Sequence, residues 1–276
     1  MRRAFHQVDV FSAVPLKGNP LAVVHAADGL DDATMAAFAR WTNLSETTFL
    51  LSPTDPAADY RVRIWTPGGE LPCAGHPTLG SCWAWLAGGG RPRSEGQVVQ
   101  QCAVGRVTVR RDGARLAFAA PPCRRTGPLE PELLQRIVAG IGLQSDDVLQ
   151  HQWVDNGPGW CAVMLRSAAM VRAVRPLWPQ LDGLKLGLVG AHEPGQDTRF
   201  ELRALIGGGN SEDPVTGSLN ASVAQWLIGA GLAPEAYVAS QGHALQRAGR
   251  VHVRREGGQV WVGGDVVALV AGEVDL

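Results

Sequence analysis

Three side chains able to hold or move a proton stand beside turns that lead into apolar runs. His76 follows Glu70-Leu71-Pro72-Cys73-Ala74-Gly75 and directly precedes Pro77, a residue suited to a first helical turn because its missing N–H is not needed there. An imidazole in that place can hydrogen-bond a substrate and exchange a proton near neutral pH; capping the helix is the alternative use. Asp213 occupies Glu212-Asp213-Pro214-Val215-Thr216-Gly217-Ser218, where a carboxylate is favoured by a helix N-terminus and capping alone would account for it. Around it, Gly207-Gly208-Gly209-Asn210 and Thr216-Gly217-Ser218 permit close backbone approach to a ligand. Glycine-rich loops at helix starts bind phosphates or carboxylates through backbone amides. Glu46, in Asn43-Leu44-Ser45-Glu46-Thr47, joins a helix end to a strand. On an exposed loop it is simply solvated; in a cleft it is placed to take and return a proton.

Other chemistries find less support in the spacing. The loop near Asp213 has neither a Walker lysine nor a Gly-x-Gly-x-x-Gly opening a strand-helix unit, which argues against a nucleotide. Cys73 and His76 have Cys-x-x-His spacing but no second ligand pair, and structural zinc takes four ligands. No metal is expected.

The segments that must position these residues are duplicated. Glu70 to His76 and Glu212 to Ser218 align without a gap about half a chain apart, and in each Glu-x-Pro-x-x-Gly ends an extended segment and opens a helix. Each copy should present free backbone N–H groups at a helix start. In the first half, Phe5–Phe11, Leu21–Val24, Thr47–Leu51 and Tyr60–Thr66 read as strands, and Asp31–Trp41 as a helix capped by Asp31 or Asp32. The run Thr78–Leu86 is apolar nearly all round, the mark of a buried helix. Short strands fill Val98–Phe118, and Pro121-Pro122 marks a domain boundary. The second half repeats the grammar: a helix at Pro131–Gly140, strands at Val148–Trp153, Trp160–Leu165 and Arg199–Leu205, then an apolar helix at Leu219–Ile228. Strands at Val251–Arg254, Val260–Val262 and Val266–Val270 follow. Two domains are implied, each a strongly curved sheet wrapped around one helix.

Composition sets the bounds. A chain of 276 residues can bury two ordinary cores. With 45% hydrophobic and 18% charged residues and a net charge of −1, it reads as globular, with no nucleic acid or anionic membrane as partner. Five cysteines without paired metal-ligand spacing suit reduced thiols in the cytoplasm. The N-terminus alternates like a strand and not like a signal peptide, and no run of about 18 apolar residues suggests a membrane span.

Taken together, five segments resemble the PhzF family, named for the phenazine-biosynthesis isomerase and similar in fold to diaminopimelate epimerase. They are Val8-Asp9-Val10-Phe11 with Gly18-Asn19-Pro20; Asn43-Leu44-Ser45-Glu46-Thr47; Arg63 to Pro67 with Glu70 to Thr78; Glu212 to Ser218; and Gln241-Gly242 with Gly249-Arg250. The resemblance implies an α+β, diaminopimelate epimerase-like fold of two pseudo-repeated domains, each a mostly antiparallel sheet around a central helix. The expected domains are 1–119 and 120–263, with a final strand at about 264–276 packing on the first. It also implies an active site in the inter-domain cleft, no metal or organic cofactor, a small-molecule substrate bearing a carboxylate, and a homodimer. By its pattern Glu46 shuttles a proton on a dihydro-hydroxyanthranilate-like substrate, His76 and Asp213 assist, and Ser45, Gly75, Gly217 and Ser218 hold the substrate.

The pattern departs from the two-thiol epimerases of the same fold. Ala74 and Pro214 stand where their two cysteines would align, and Cys73 is one residue away, on the other side of a pleated segment. The expected activity is therefore a cofactor-independent isomerisation with one carboxylate base. The competing readings are an amino-acid racemase or epimerase, and a non-catalytic metabolite-binding protein on the same scaffold.

Overall fold

The computed structural model describes residues 1–276 and divides the chain into two units: residues 1–119 with 263–276, and residues 120–262. In the first unit the strands are β1 (Arg2–Val10), β2 (Asn19–Val24), β3 (Glu46–Leu51), β4 (Tyr60–Thr66), β5 (Gly69–Leu71), β6 (Gln97–Cys102), β7 (Gly105–Asp112) and β8 (Arg115–Ala119). Two helices accompany them, α1 (Asp32–Thr42) and α2 (Gly75–Ala87). β1–β2, β3–β4, β4–β5, β6–β7 and β7–β8 pair antiparallel, whereas β2–β3 and β4–β6 are parallel. A parallel pair needs a crossover, and α1 supplies it between β2 and β3 as α2 does between β4 and β6. The last strand of the chain, β17 (Val266–Asp275), returns to pair antiparallel with β1 along its full length.

The second unit repeats this plan strand for strand. It contains β9 (Val148–Trp153), β10 (Trp160–Leu165), β11 (Lys185–Ala191), β12 (Phe200–Ile206), β13 (Ser211–Asp213), β14 (Ala236–Gln241), β15 (Gly249–Glu256) and β16 (Gln259–Gly264), with α3 (Pro131–Ile141), α4 (Ala168–Ala173), α5 (Trp178–Leu181) and α6 (Gly217–Gly229). β9–β10 is antiparallel like β1–β2, and β10–β11 parallel like β2–β3. β11–β12 and β12–β13 are antiparallel, β12–β14 parallel and β14–β15 antiparallel, the order of β3 to β7 again. The duplicated turn thus marks a duplicated topology.

Asp31 caps α1 by accepting from Thr34 N–H at 2.8 Å, and Asn43, at a φ of 53°, ends it with its N–H on Ala39 O. The amphipathic face Met35, Phe38 and Ala39 buries against Val24, Phe49, Leu51 and Trp65. In the second unit α3 and α5 cover β10 and β11 with Ile137, Ile141 and Leu181 on Val163, Leu165, Leu186 and Leu188. α2 is different: it touches β1, β2, β3, β6, β7, β8 and β17, so its side chains from His76 to Cys82 and Ala84 are buried on all sides. Both central helices begin earlier than their apolar periodicity suggests, at Gly75 and Gly217 instead of Thr78 and Leu219.

Such an enclosed helix tolerates no added bulk where the sheet comes closest. A Cβ at Gly80 would lie 2.5 Å from Leu21 Cδ2 and 3.0 Å from Val10 Cγ2. Gly80→Ala should therefore lower the urea midpoint, by about 1–3 kcal/mol of stability at unchanged slope, despite the better helix propensity of alanine.

Candidate active site

In the first unit the tight end of α1 delivers Glu46 as the opening residue of β3. Thr42 Oγ1 and Thr47 Oγ1 lie 2.8 Å apart and tie the helix end to the strand start, and Glu46 stands opposite Leu21 of β2 in the parallel register. Its side chain is only 15% exposed, so it is not a solvated loop glutamate. Glu46 Oε2 is 3.3 Å from His76 Nε2, an approach whose angle falls short of a hydrogen bond.

His76 is 4% exposed and lies in the first turn of α2, one residue past its start. It does not cap the helix: the N-cap residue is Ala74, and no side chain performs that role. Asn19 Nδ2 is 3.3 Å from His76 Nδ1. An amide NH₂ only donates, so Nδ1 accepts, and a neutral ring then carries its proton on Nε2, facing Glu46. Burial holds the ring neutral by driving its pKa from 6.5 to about 3.

Asn19 is itself held by the residues before it. The buried Asp9 carboxylate accepts from the N–H groups of Lys17 and Gly18, each at 2.8 Å, and fixes the loop that leads into β2. At Gly18 any Cβ would collide with Val10 O, so only glycine lets the loop close this tightly.

In the second unit Asp213 ends β13, three residues before the N-cap of α6. Its Oδ2 accepts from Thr216 Oγ1 at 2.5 Å, and Thr216 makes no side-chain capping bond to the helix. Gln241 fixes this turn with both ends of its amide. Its Nε2 donates to Asp213 O and Thr216 Oγ1, and its Oε1 accepts from Thr216 N–H and Asn220 Nδ2. Gly217 and Ser218 form the first turn, with Gly217 buried and Ser218 half-buried.

Neither α2 nor α6 has a side-chain cap or an acidic residue in its first turn. Both are long helices whose positive ends are left to other partners, the arrangement that suits a ligand oxyanion. The repeated glutamates serve as anchors. Arg63 grips Glu70 with two bonds of 2.7 Å while its other nitrogen reaches Asp32, and Arg203 grips Glu212 at 3.0 and 2.7 Å. Arg203 also donates to the carbonyls of Val171 and Val174, and the whole pair is buried.

The family described as phenazine biosynthesis-like protein (PhzC-PhzF) matches residues 8–272. The chain belongs to this family. A relative in Schizosaccharomyces pombe, called antisense-enhancing sequence 1, is 34% identical over 88% of this chain and 87% of its own length. An isomerase of Pasteurella multocida is 31% identical over 98% and 93%. The trans-2,3-dihydro-3-hydroxyanthranilate isomerase of Pseudomonas fluorescens is 52% identical, but over 28% of this chain and 27% of its own. Among solved structures, a PhzF-family protein of Enterococcus faecalis has a TM-score of 0.84 at 23% identity over both full chains. A Pseudomonas aeruginosa protein described as a predicted epimerase has a TM-score of 0.80 at 31% identity over 99% of each. The chain is thus an enzyme of the isomerase class with the α+β fold of PhzF proteins.

Within this PhzF-family chain, Glu46 and His76 come together, Gly75 opens the helix that carries His76, and Ser45 is exposed just ahead of Glu46. Asp213, Gly217 and Ser218 share the turn at the start of α6. Sequence reasoning gave no role to Asn19, although it stands in a quoted motif, and none to Gln241 or Asn220. The Cys73 thiol is pushed up by its hydrogen bond with Cys102 and by burial, so it is a poor base at neutral pH. No group of three or more His, Cys, Asp and Glu is placed to hold a metal ion, and no helix is long and apolar enough to cross a membrane.

The two glutamate anchors should differ in worth. Glu212→Ala leaves a buried guanidinium unpaired and should cost about 3–5 kcal/mol in urea unfolding, whereas Glu70→Ala, at a more exposed pair, should cost about 1 kcal/mol or less. The buried imidazole gives a pH signature. Between pH 6.5 and about 3 the unfolded chain binds a proton at His76 that the folded chain refuses, so stability falls as pH is lowered through that window. At pH 5 the loss is about 2 kcal/mol relative to neutrality. Half-buried His25, brought down to about 4 by burial and by neighbouring His6, adds a loss of the same sign. Urea midpoints at pH 7.5 and 5 should therefore differ less in His76→Gln than in the wild type.

Proposed function

We propose that this enzyme moves a proton within a small carboxylate-bearing substrate of the dihydro-hydroxyanthranilate type, with Glu46 as the acid/base. The observation that carries this reading is the buried Glu46–His76 contact at 3.3 Å, with His76 oriented by Asn19 from the far side of the ring. An ionised Glu46 takes a proton from a substrate carbon: the C–H bond breaks, an O–H bond forms on the carboxyl, and the electron pair moves into the substrate's conjugated system. The carboxyl then returns the proton to another carbon on the same face. One proton and one electron pair change place within one molecule, so the atoms balance without a co-reactant. His76, with its proton on Nε2, serves as the hydrogen-bond donor beside this exchange.

The uncapped starts of α2 and α6 support a substrate with an oxyanion, held by first-turn amides at Gly75, Gly217 and Ser218. Ser45, next to the base, is assigned to the same substrate. Asp213 is assigned an assisting role, on the strength of its place in the family pattern and its fixed turn. A raised Cys73 thiol and the residues Ala74 and Pro214 favour one carboxylate base over a pair of thiols.

The test is turnover of trans-2,3-dihydro-3-hydroxyanthranilate in deuterium oxide. Wild type should isomerise it, with Glu46→Gln slower by about 10²- to 10⁴-fold and losing deuterium incorporation in parallel. Equal incorporation by both proteins removes Glu46 from the proposed role.

A further inference from the structure

Two thiols of the first unit meet at the entrance to α2, and the proton transfer assigned to Glu46 uses neither. β6 alternates, burying Val98, Gln100 and Cys102 on one face. That face meets the first turn of α2: Gln100 Nε2 donates to Thr78 Oγ1 at 3.2 Å, and Thr78 Oγ1 donates to Ala74 O at 2.8 Å. Tyr60 O–H holds the other end of the amide, donating to Gln100 Oε1 at 2.8 Å. Cys102, the next residue on this face, ends β6 and is hydrogen-bonded to Cys73. Cys73 belongs to the link between β5 and α2, directly before the N-cap Ala74 and one turn before His76. Both are free thiols.

The two sulfurs differ in character. The Cys73 thiol donates to Cys102, and this bond is the main reason that Cys102 comes down to about 7, against burial that pushes it up. Near neutral pH a large share of Cys102 is therefore thiolate, beside a partner that keeps its proton. The other cysteines do not compete: Cys82 and Cys161 are buried with thiols pushed up to about 12, and Cys123 donates to Gln225 Oε1 at 3.1 Å.

We propose that Cys73 and Cys102 are an oxidisable pair, closed to a disulfide by hydrogen peroxide and reopened by a dithiol, whose closure displaces the start of α2. Cys102 thiolate attacks one peroxide oxygen; an S–O bond forms, the O–O bond breaks and hydroxide leaves with the proton of Cys73 as water. The Cys73 sulfur then attacks Cys102, the S–O bond breaks and hydroxide leaves. One thiolate, one thiol and one peroxide become one disulfide, one water and one hydroxide; each sulfur loses one electron and the peroxide gains two. A disulfide holds its sulfurs about 2.05 Å apart, well inside a thiol hydrogen bond. β6 is paired with both β4 and β7, so the adjustment falls on the unpaired link at Cys73 and through it on Ala74, Gly75 and His76. Turnover should fall as a consequence, which rests on the reading of Glu46 and His76 as the proton-transfer site; formation of the bond does not.

The purified protein is treated with hydrogen peroxide, denatured and alkylated, and its peptides are mapped without reduction. One disulfide, Cys73–Cys102, should appear, with three of the five cysteines alkylated. Amide hydrogen exchange at residues 74–78 should be altered, and isomerase turnover should drop by about 10- to 100-fold, the scale of a misplacement near 1 Å. Dithiothreitol should restore both. Cys102→Ser should turn over like the reduced wild type and keep its activity in peroxide. The proposal is overturned if all five thiols remain alkylatable, if oxidation stops at a sulfinic acid or joins another pair, if exchange at the start of α2 is unchanged, or if Cys102→Ser is inactivated by peroxide as the wild type is. Should Cys102→Ser fail to fold, the peptide map and the exchange of the wild type decide. A Cys73–Cys102 bond with altered exchange in a protein that turns over nothing would remove the proposed function and leave the redox pair; turnover by a protein whose thiols do not join would do the reverse.

Discussion

A guanidinium holding the glutamate of the turn ahead of it fixes, in each unit, the point where the chain leaves the sheet for its central helix. Arg63 and Arg203 are strand residues, and Glu70 and Glu212 belong to the three-residue strands β5 and β13 that hairpin back onto them. Strands so short contribute few ladder bonds of their own. The two-pronged ion pair supplies the missing constraint, and with it the helix starts at Gly75 and Gly217 acquire a defined position.

What the starts carry has diverged. In the first unit an imidazole sits inside the first turn, buried and neutral, with a glutamate against one nitrogen and an asparagine against the other. In the second the corresponding turn is a closed polar network in which Gln241 satisfies Asp213, Thr216 and Asn220 at once. One copy holds a buried imidazole at its helix start; the other ties its turn together through a side-chain amide. Duplication of topology has thus not meant duplication of the residues at the helix starts.

Legibility in the sequence followed the physics of each segment. β9 and β10 were readable to the residue, and α1 nearly so, because its cap, its apolar stripe and its end signal agree. β11 had no signal: it is buried on both faces and carries Gly187 and Gly190, where Leu219 and the Ser167 carbonyl approach so closely that no alternation is left to see. β14 was missed as well. The central helices were read three and two residues short, since glycine is a poor helix former and only tertiary enclosure makes it begin one. Glu46 and His76 could be named from local chemistry and family pattern, but their contact spans thirty positions of sequence and could not be seen.

The pairing of β1 with β17 has a consequence for the order in which this protein can be made. β1 leaves the ribosome before the second unit does, and the strand that covers one of its edges is encoded after the whole of that unit. Until then that edge offers unpaired N–H and C=O groups along nine residues. The second unit, whose strands β9 to β15 pair among themselves, can close while the first still waits. The interval between synthesis of β1 and of β17 is therefore when the nascent chain is most open to strand exchange with a neighbour.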